Sequence, residues 1–142
     1  MKLKRFILTV FAIAMVFSTT TIGFGVLKAE ALTYKGVYND TINWSFNDGT
    51  GELTISGTGA ITDTNSDLPW RDYMYSVKSI NISNGITSIN ESSFRLYENL
   101  EKVIISGNTL TEINDFAFSG CGHLESITLP DSLKHIGSYL LL

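Results

Sequence analysis

The sequence has 142 residues, 44% of them hydrophobic and 17% charged, with one cysteine and a formal net charge of −4. That composition suits a single globular domain, and Cys121 alone excludes both an intramolecular disulfide and a cysteine-rich metal framework. Beyond residue 31 six basic residues face thirteen acidic ones, a balance that lacks the positive footprint needed to hold nucleic acid or an anionic membrane.

Residues 1–31 read as a leader. Lys2, Lys4 and Arg5 form a positive start, and from Phe6 to Phe17 only Thr9 interrupts an apolar run. Ala29-Glu30-Ala31 then places small residues where signal peptidase accepts them, which predicts cleavage after Ala31. The competing reading is an uncleaved anchor, because the 22 uncharged residues from Phe6 to Leu27 are long enough to span a bilayer. The run of Ser and Thr at 18–21, with Gly23 and Gly25, weighs for cleavage. In both readings the rest of the chain is exported, secreted or held at the cell surface, and it meets a membrane only through this segment if that stays uncleaved.

Residues 32–76 form a second block. Thr41–Phe46 alternates apolar and polar residues, Asn47–Gly51 is a turn sequence, and Glu52–Ser56 alternates again, which predicts a β-hairpin. Gly57 and Gly59 end the second strand, and Pro69-Trp70 lies near the end of the block. Candidate chemistry in and beyond this block lacks its partners. Asp63-Thr64-Asn65-Ser66-Asp67 has the alternating oxygen ligands that open a calcium loop, but Leu68 and Met74 stand where the glycine and the bidentate glutamate belong. Ser56-Gly57-Thr58-Gly59 is followed by no Lys-Ser/Thr pair to complete a phosphate cradle. His123 and His135 have no second ligand at metal spacing. Cys121 lies near His123 in sequence but reads as a small buried thiol. The expectation is therefore no enzyme, no cofactor and no metal.

From Val77 the chain matches itself. The segments Val77–Asn99, Leu100–His123 and Leu124–Leu142 align in the apolar columns Val77/Leu100/Leu124, Ile80/Val103/Ile127, Ile82/Ile105/Leu129, Ile86/Leu110/Leu133 and Ile89/Ile113/Ile136. Phe94 and Phe118 form a sixth column, with Leu141 in the last copy. The periods are 23 and 24, and the difference is confined to the turn between Ile105 and Leu110. Insertion restricted to a turn keeps the columns in phase, as a stacked solenoid requires. Ile80–Ile82, Val103–Ile105 and Ile127–Leu129 have strand alternation, and a turn sequence comes after each. One copy cannot bury both its strand and its return segment, whereas stacked copies can.

These repeats resemble the BspA-type leucine-rich repeats of bacterial surface proteins. Leu124, Ile127, Leu129, Pro130, Leu133, Ile136 and Gly137 fit the first half of that family's pattern, and Ile113, Ala117, Phe118 and Cys121 fit the second. Asn90 and Asn114 replace its Gly, Ser93 its Ala and Tyr97 its Cys. The block W…L-x-I-x-G-x-G…P-W is also similar to the segment that often precedes such repeats, which agrees with a hairpin capping the open end of a solenoid. The resemblance implies a mainly β leucine-rich repeat solenoid over residues 77–142, with parallel strands on one face and short helical turns on the other. It further implies an interaction module for a host or matrix protein or a glycan. A second expectation is a truncated gene fragment with a structural role or none, because the third copy stops inside its pattern.

If the inward columns are core, a ligand meets the outward positions of the strand ladder. Those are Ser79, Asn81, Lys102, Ile104, Ser126 and Thr128, small or polar apart from Ile104, which is expected to stand exposed as an anchor beside Lys102. For the leader, N-terminal sequencing of protein secreted by a bacterial host should begin at Leu32; an intact Met1 on membrane-bound protein would mean that the segment is an anchor.

Overall fold

Alternation of apolar and polar side chains, broken at intervals by Gly, Asn and Ser, lays down ten short strands among the described residues. They are β1 (Thr33–Tyr38), β2 (Ile42–Asn47), β3 (Glu52–Gly57), β4 (Gly59–Ile61), β5 (Ser79–Ile82), β6 (Ile86–Ile89), β7 (Lys102–Ile105), β8 (Glu112–Ile113), β9 (Ser126–Thr128) and β10 (His135–Ile136). The computed structural model describes residues 30–141, so the leader expected over residues 1–31 falls almost wholly outside the described residues. Among the described residues one 3₁₀ turn, Arg71–Tyr73, accompanies the strands, and no helix is long and apolar enough to cross a membrane.

The strands form two sheets. The larger has the order β1-β2-β3-β5-β7-β9 and the smaller β10-β8-β6-β4. Pairing is antiparallel from β1 to β3 and parallel everywhere else. Ile80, Val103 and Ile127 are in register across β5, β7 and β9, and Ile89 and Ile136 flank Ile113 across β6, β8 and β10. The apolar columns of the sequence are therefore ladders in space. The extra residue between Ile105 and Leu110 sits in a turn where Gly107 adopts φ +88°, with the Asn84 side chain lying where a Cβ would be. Both sheets stay in phase around it.

The return side differs from the helical turns expected there. Ile86–Ile89, Glu112–Ile113 and His135–Ile136 are strands of the second parallel sheet. Helix nucleation is costly in so short a segment, and the neighbouring coil already supplies hydrogen-bond partners: Thr111 N donates to Thr87 O at 2.9 Å and Asn114 N to Ile89 O at 3.0 Å. A third side closes each coil with further bonds between coils. Ser92 N donates to Asp115 O at 3.0 Å, Phe94 N to Ala117 O at 2.8 Å, Phe116 N to Ser138 O at 3.0 Å and Phe118 N to Leu140 O at 3.2 Å. Ser92, Phe116 and Tyr139 take left-handed φ of 56–57° at this corner. Such a conformation costs a non-glycine residue about 1–2 kcal/mol, and at Ser92 and Phe116 the bonds to the next coil offset it.

The two-stranded hairpin expected at residues 41–56 is present as β2 and β3, joined by a turn in which Asn47 Oδ1 accepts from Gly49 N and Thr50 N. It belongs to a larger unit, because β1 adds a third strand that the sequence pattern, interrupted by Gly36, conceals. The strand β3 pairs with β5, and β4 with β6, so residues 52–61 wrap as a coil of the same stack. Trp70 belongs to it too. Its ring stacks on Phe94 at 6.3 Å, and Phe94 stacks on Phe118 at 5.3 Å, giving one aromatic column through three successive coils. A single core joins Ile42, Phe46, Leu53 and Ile55 to the repeat columns.

Burial falls away at the last coil. Ile113 is fully buried, whereas Ile136, its counterpart in the next coil, is 48% exposed. Ile113→Ala should therefore cost about 2–5 kcal/mol in urea unfolding, and Ile136→Ala should fall within about 0.5 kcal/mol of wild type. Hydrogen exchange should find the amides of β9 opening more readily than those of β7; equal protection would contradict the uneven burial.

Candidate interaction face

Because side chains of a strand alternate between faces, the register of the larger sheet fixes its outer surface. Lys35, Ser45, Thr54, Asn81, Ile104 and Thr128 form one row across β1, β2, β3, β5, β7 and β9, and Thr33, Asn47, Glu52, Ser79, Lys102 and Ser126 form the next. All six residues singled out from the sequence thus lie on one surface. Lys102, Ser126 and Thr128 are exposed, and Ser79 and Asn81 are half-buried. Ile104 departs from the expectation: flanked in its row by Asn81 and Thr128, it is half-buried and does not project as a free anchor.

The face is also twice as wide as the repeats alone suggest. The outward residues of β1, β2 and β3 continue both rows, adding Lys35 and Glu52 to the charge of Lys102. Thr54 Oγ1 donates to Glu52 Oε1 at 3.2 Å, which leaves the second carboxylate oxygen free of that bond. The alternation within 41–46 and 52–56 carried the signal for this extension. Its register against the repeats was hidden because β3 and β5 lie 21 residues apart, between Gly57 and Lys78.

Other candidate residues take structural places. Asp63 O accepts from Ser93 Oγ at 3.2 Å and Asn65 Nδ2 donates to Arg95 O at 3.0 Å, so the Asp63–Asp67 segment is tied to the next coil. Gly57 and Gly59 turn the chain from the larger sheet to the smaller, where Gly59 N donates to Gly85 O at 3.0 Å. His123 Nδ1 donates to Glu98 O at 2.6 Å, and Asn99, in the equivalent position one coil earlier, donates to Tyr75 O at 2.7 Å. His135 borders a shallow depression of about 300 Å³ with Asn90, Glu91, Asn114 and Asp115; a second, of about 200 Å³, lies beside Asn65 and Arg95. No group of three or more His, Cys, Asp or Glu side chains able to hold a metal occurs among the described residues.

Cys121, expected as a buried thiol, is half-buried. Its Sγ donates to Phe94 O at 3.3 Å, and burial pushes the thiol up to about 11 from 9.0. The nearby Tyr97 phenol is raised well above its ordinary value, also mainly by burial. A thiol held in its neutral form is a poor nucleophile at neutral pH. Its raised value means that the contribution to stability is complete below pH 9.0 and declines as pH climbs through about 11. Iodoacetamide at pH 8 should modify Cys121 about 100-fold more slowly in the folded protein than in urea. Equal rates would show that the thiol is accessible and ionised.

The comparisons with known proteins agree with this architecture. The family described as BspA type leucine-rich repeat region (6 copies) matches residues 72–142. A crystal structure of a leucine-rich repeat protein from Eubacterium ventriosum is similar, with a TM-score of 0.63 and 35% sequence identity over 75% of this chain. The chain spans 28% of the length of that protein. No curated protein matches the sequence. With half of its length in the family's repeats, and its stacked coils shared with a bacterial leucine-rich repeat structure, the chain belongs to the BspA-type leucine-rich repeat family.

Proposed function

We propose that the chain is an exported interaction module, secreted or displayed on a bacterial surface, that takes a protein or glycan ligand on the outer face of its larger sheet. Under this reading the antiparallel β1–β2–β3 unit caps the solenoid, supplying Ile42, Phe46 and Leu53 to the core while extending the ligand-facing rows. The observation that carries the proposal is the register. It aligns Ser79, Lys102 and Ser126 in one row, and Asn81, Ile104 and Thr128 in the next. A flat array of hydroxyl, amide and single charged groups suits hydrogen bonding to an extended partner, with Ile104 as a small apolar centre inside a polar rim. The acidic balance of the exported part argues against nucleic acid as that partner. Membership in a repeat family of interaction modules supports binding over catalysis, and the leader sequence supports export.

Panels of extracellular-matrix proteins and immobilised glycans should yield a ligand for the wild-type chain. Ile104→Asp and Lys102→Glu should each weaken that binding by at least about tenfold, the loss of one good contact. Far-UV dichroism should stay unchanged in both. Binding that survives both substitutions would place the ligand on another side of the coil.

A further inference from the structure

Asn84-Gly85 is the only Asn-Gly pair in the sequence, and it occupies the turn between β5 and β6 with Asn84 exposed. This dipeptide has intrinsic chemistry. The amide nitrogen of the following glycine, unshielded by a Cβ, attacks the asparagine Cγ. The new N–Cγ bond closes a succinimide and the Cγ–NH₂ bond breaks, releasing ammonia. Water then opens the ring at one carbonyl or the other, leaving aspartate or isoaspartate. Both reacting groups are held by the next coil. Gly85 N donates to Thr109 Oγ1 at 2.7 Å, and the Thr109 hydroxyl donates in turn to Ile86 O at 3.0 Å, which orients it as an acceptor. Asn84 Oδ1 accepts from Asn108 N at 3.1 Å, with the side chain lying against Gly107. We infer that Asn84 is a site of spontaneous deamidation, with water as the only co-reactant, and that Thr109 suppresses it by engaging the attacking amide whenever the two coils are closed.

Reaction therefore proceeds from the locally open turn, at a rate set by how often that turn opens. The consequence is structural. Isoaspartate inserts a methylene into the main chain immediately before β6, where Gly85 O accepts from Gly59 N and Ile86 begins the pairing with β4. An exported protein that is not renewed would lose this junction with age.

Peptide mass mapping of the folded chain in mildly alkaline buffer tests the inference. Asn84 should convert before any other asparagine, and unfolding in urea should accelerate it at least about tenfold. Thr109→Val should raise the folded-state rate about fivefold, the effect of losing one ordinary hydrogen bond on the opening equilibrium, while Thr109→Ser should keep the wild-type rate. The ratio of folded to unfolded rates should also match the opening constant that hydrogen exchange gives for the Gly85 amide in the unmodified chain, a measurement independent of any variant. Conversion first at another asparagine, equal rates in the folded and urea-unfolded chains, a folded Thr109→Val at the wild-type rate, or disagreement with the exchange constant would overturn it.

Discussion

Every coil of this protein leaves its backbone groups and its apolar side chains to be satisfied by the coil before and the coil after. The strands are two to six residues long, and none could persist alone. Pairing between coils gives the main chain its partners and at the same time lays Ile on Ile and Phe on Phe. Each fully buried Ile or Phe of these columns contributes roughly 1.5–3 kcal/mol, but only if the period holds to the residue on the inward positions. That is why the one length difference between copies lies in a turn, at Gly107, and why the residues with left-handed backbone recur at Ser92, Phe116 and Tyr139.

The same constraint explains the departures from the family pattern. Ser93 replaces an alanine and is completely buried, yet its hydroxyl shares its one proton between Asn90 O at 2.9 Å and Asp63 O at 3.2 Å. The polar atom is absorbed into the bonding between coils, where Ala117 needs none. Tyr97 replaces a cysteine and fills its position with a ring set edge-on to Phe94 at 5.7 Å. Among the described residues its buried hydroxyl has no hydrogen-bond partner, and neither have Trp44 Nε1 and Trp70 Nε1. An orphaned group of this kind costs about 1–3 kcal/mol, so these three large rings gain packing at the expense of polar satisfaction.

A surface arises from the stacking without being separately encoded. Once the inward residues are fixed by the core, strand alternation sends every intervening side chain outward, and the parallel register aligns them in rows. The antiparallel strands at the N-terminal edge obey the same alternation, so Lys35, Ser45 and Thr54 continue the row of Asn81, Ile104 and Thr128. A ligand would meet one continuous sheet.

The sequence alone determined the repeat, its columns and strands around Ile80–Ile82, Val103–Ile105 and Ile127–Leu129, because periodic burial leaves a periodic trace; the structure starts each strand one residue earlier and ends the last at Thr128. The sequence also determined which side chains of those strands face outward, since strand alternation admits one assignment once the core is chosen. Tertiary structure decided the rest. Ile86–Ile89 spaces its isoleucines three residues apart and not two, and Glu112–Ile113 is only two residues long, so neither declares itself as a strand; both become strands only because a neighbouring coil pairs with them. Trp70 lies 24 residues before Phe94, but its place in the aromatic column emerged only when residues 52–61 wrapped as a coil. Ile104 was legible as an outward residue and not as a half-buried one. How far a side chain stands out of a sheet depends on its neighbours across the strands, and chain order does not list them.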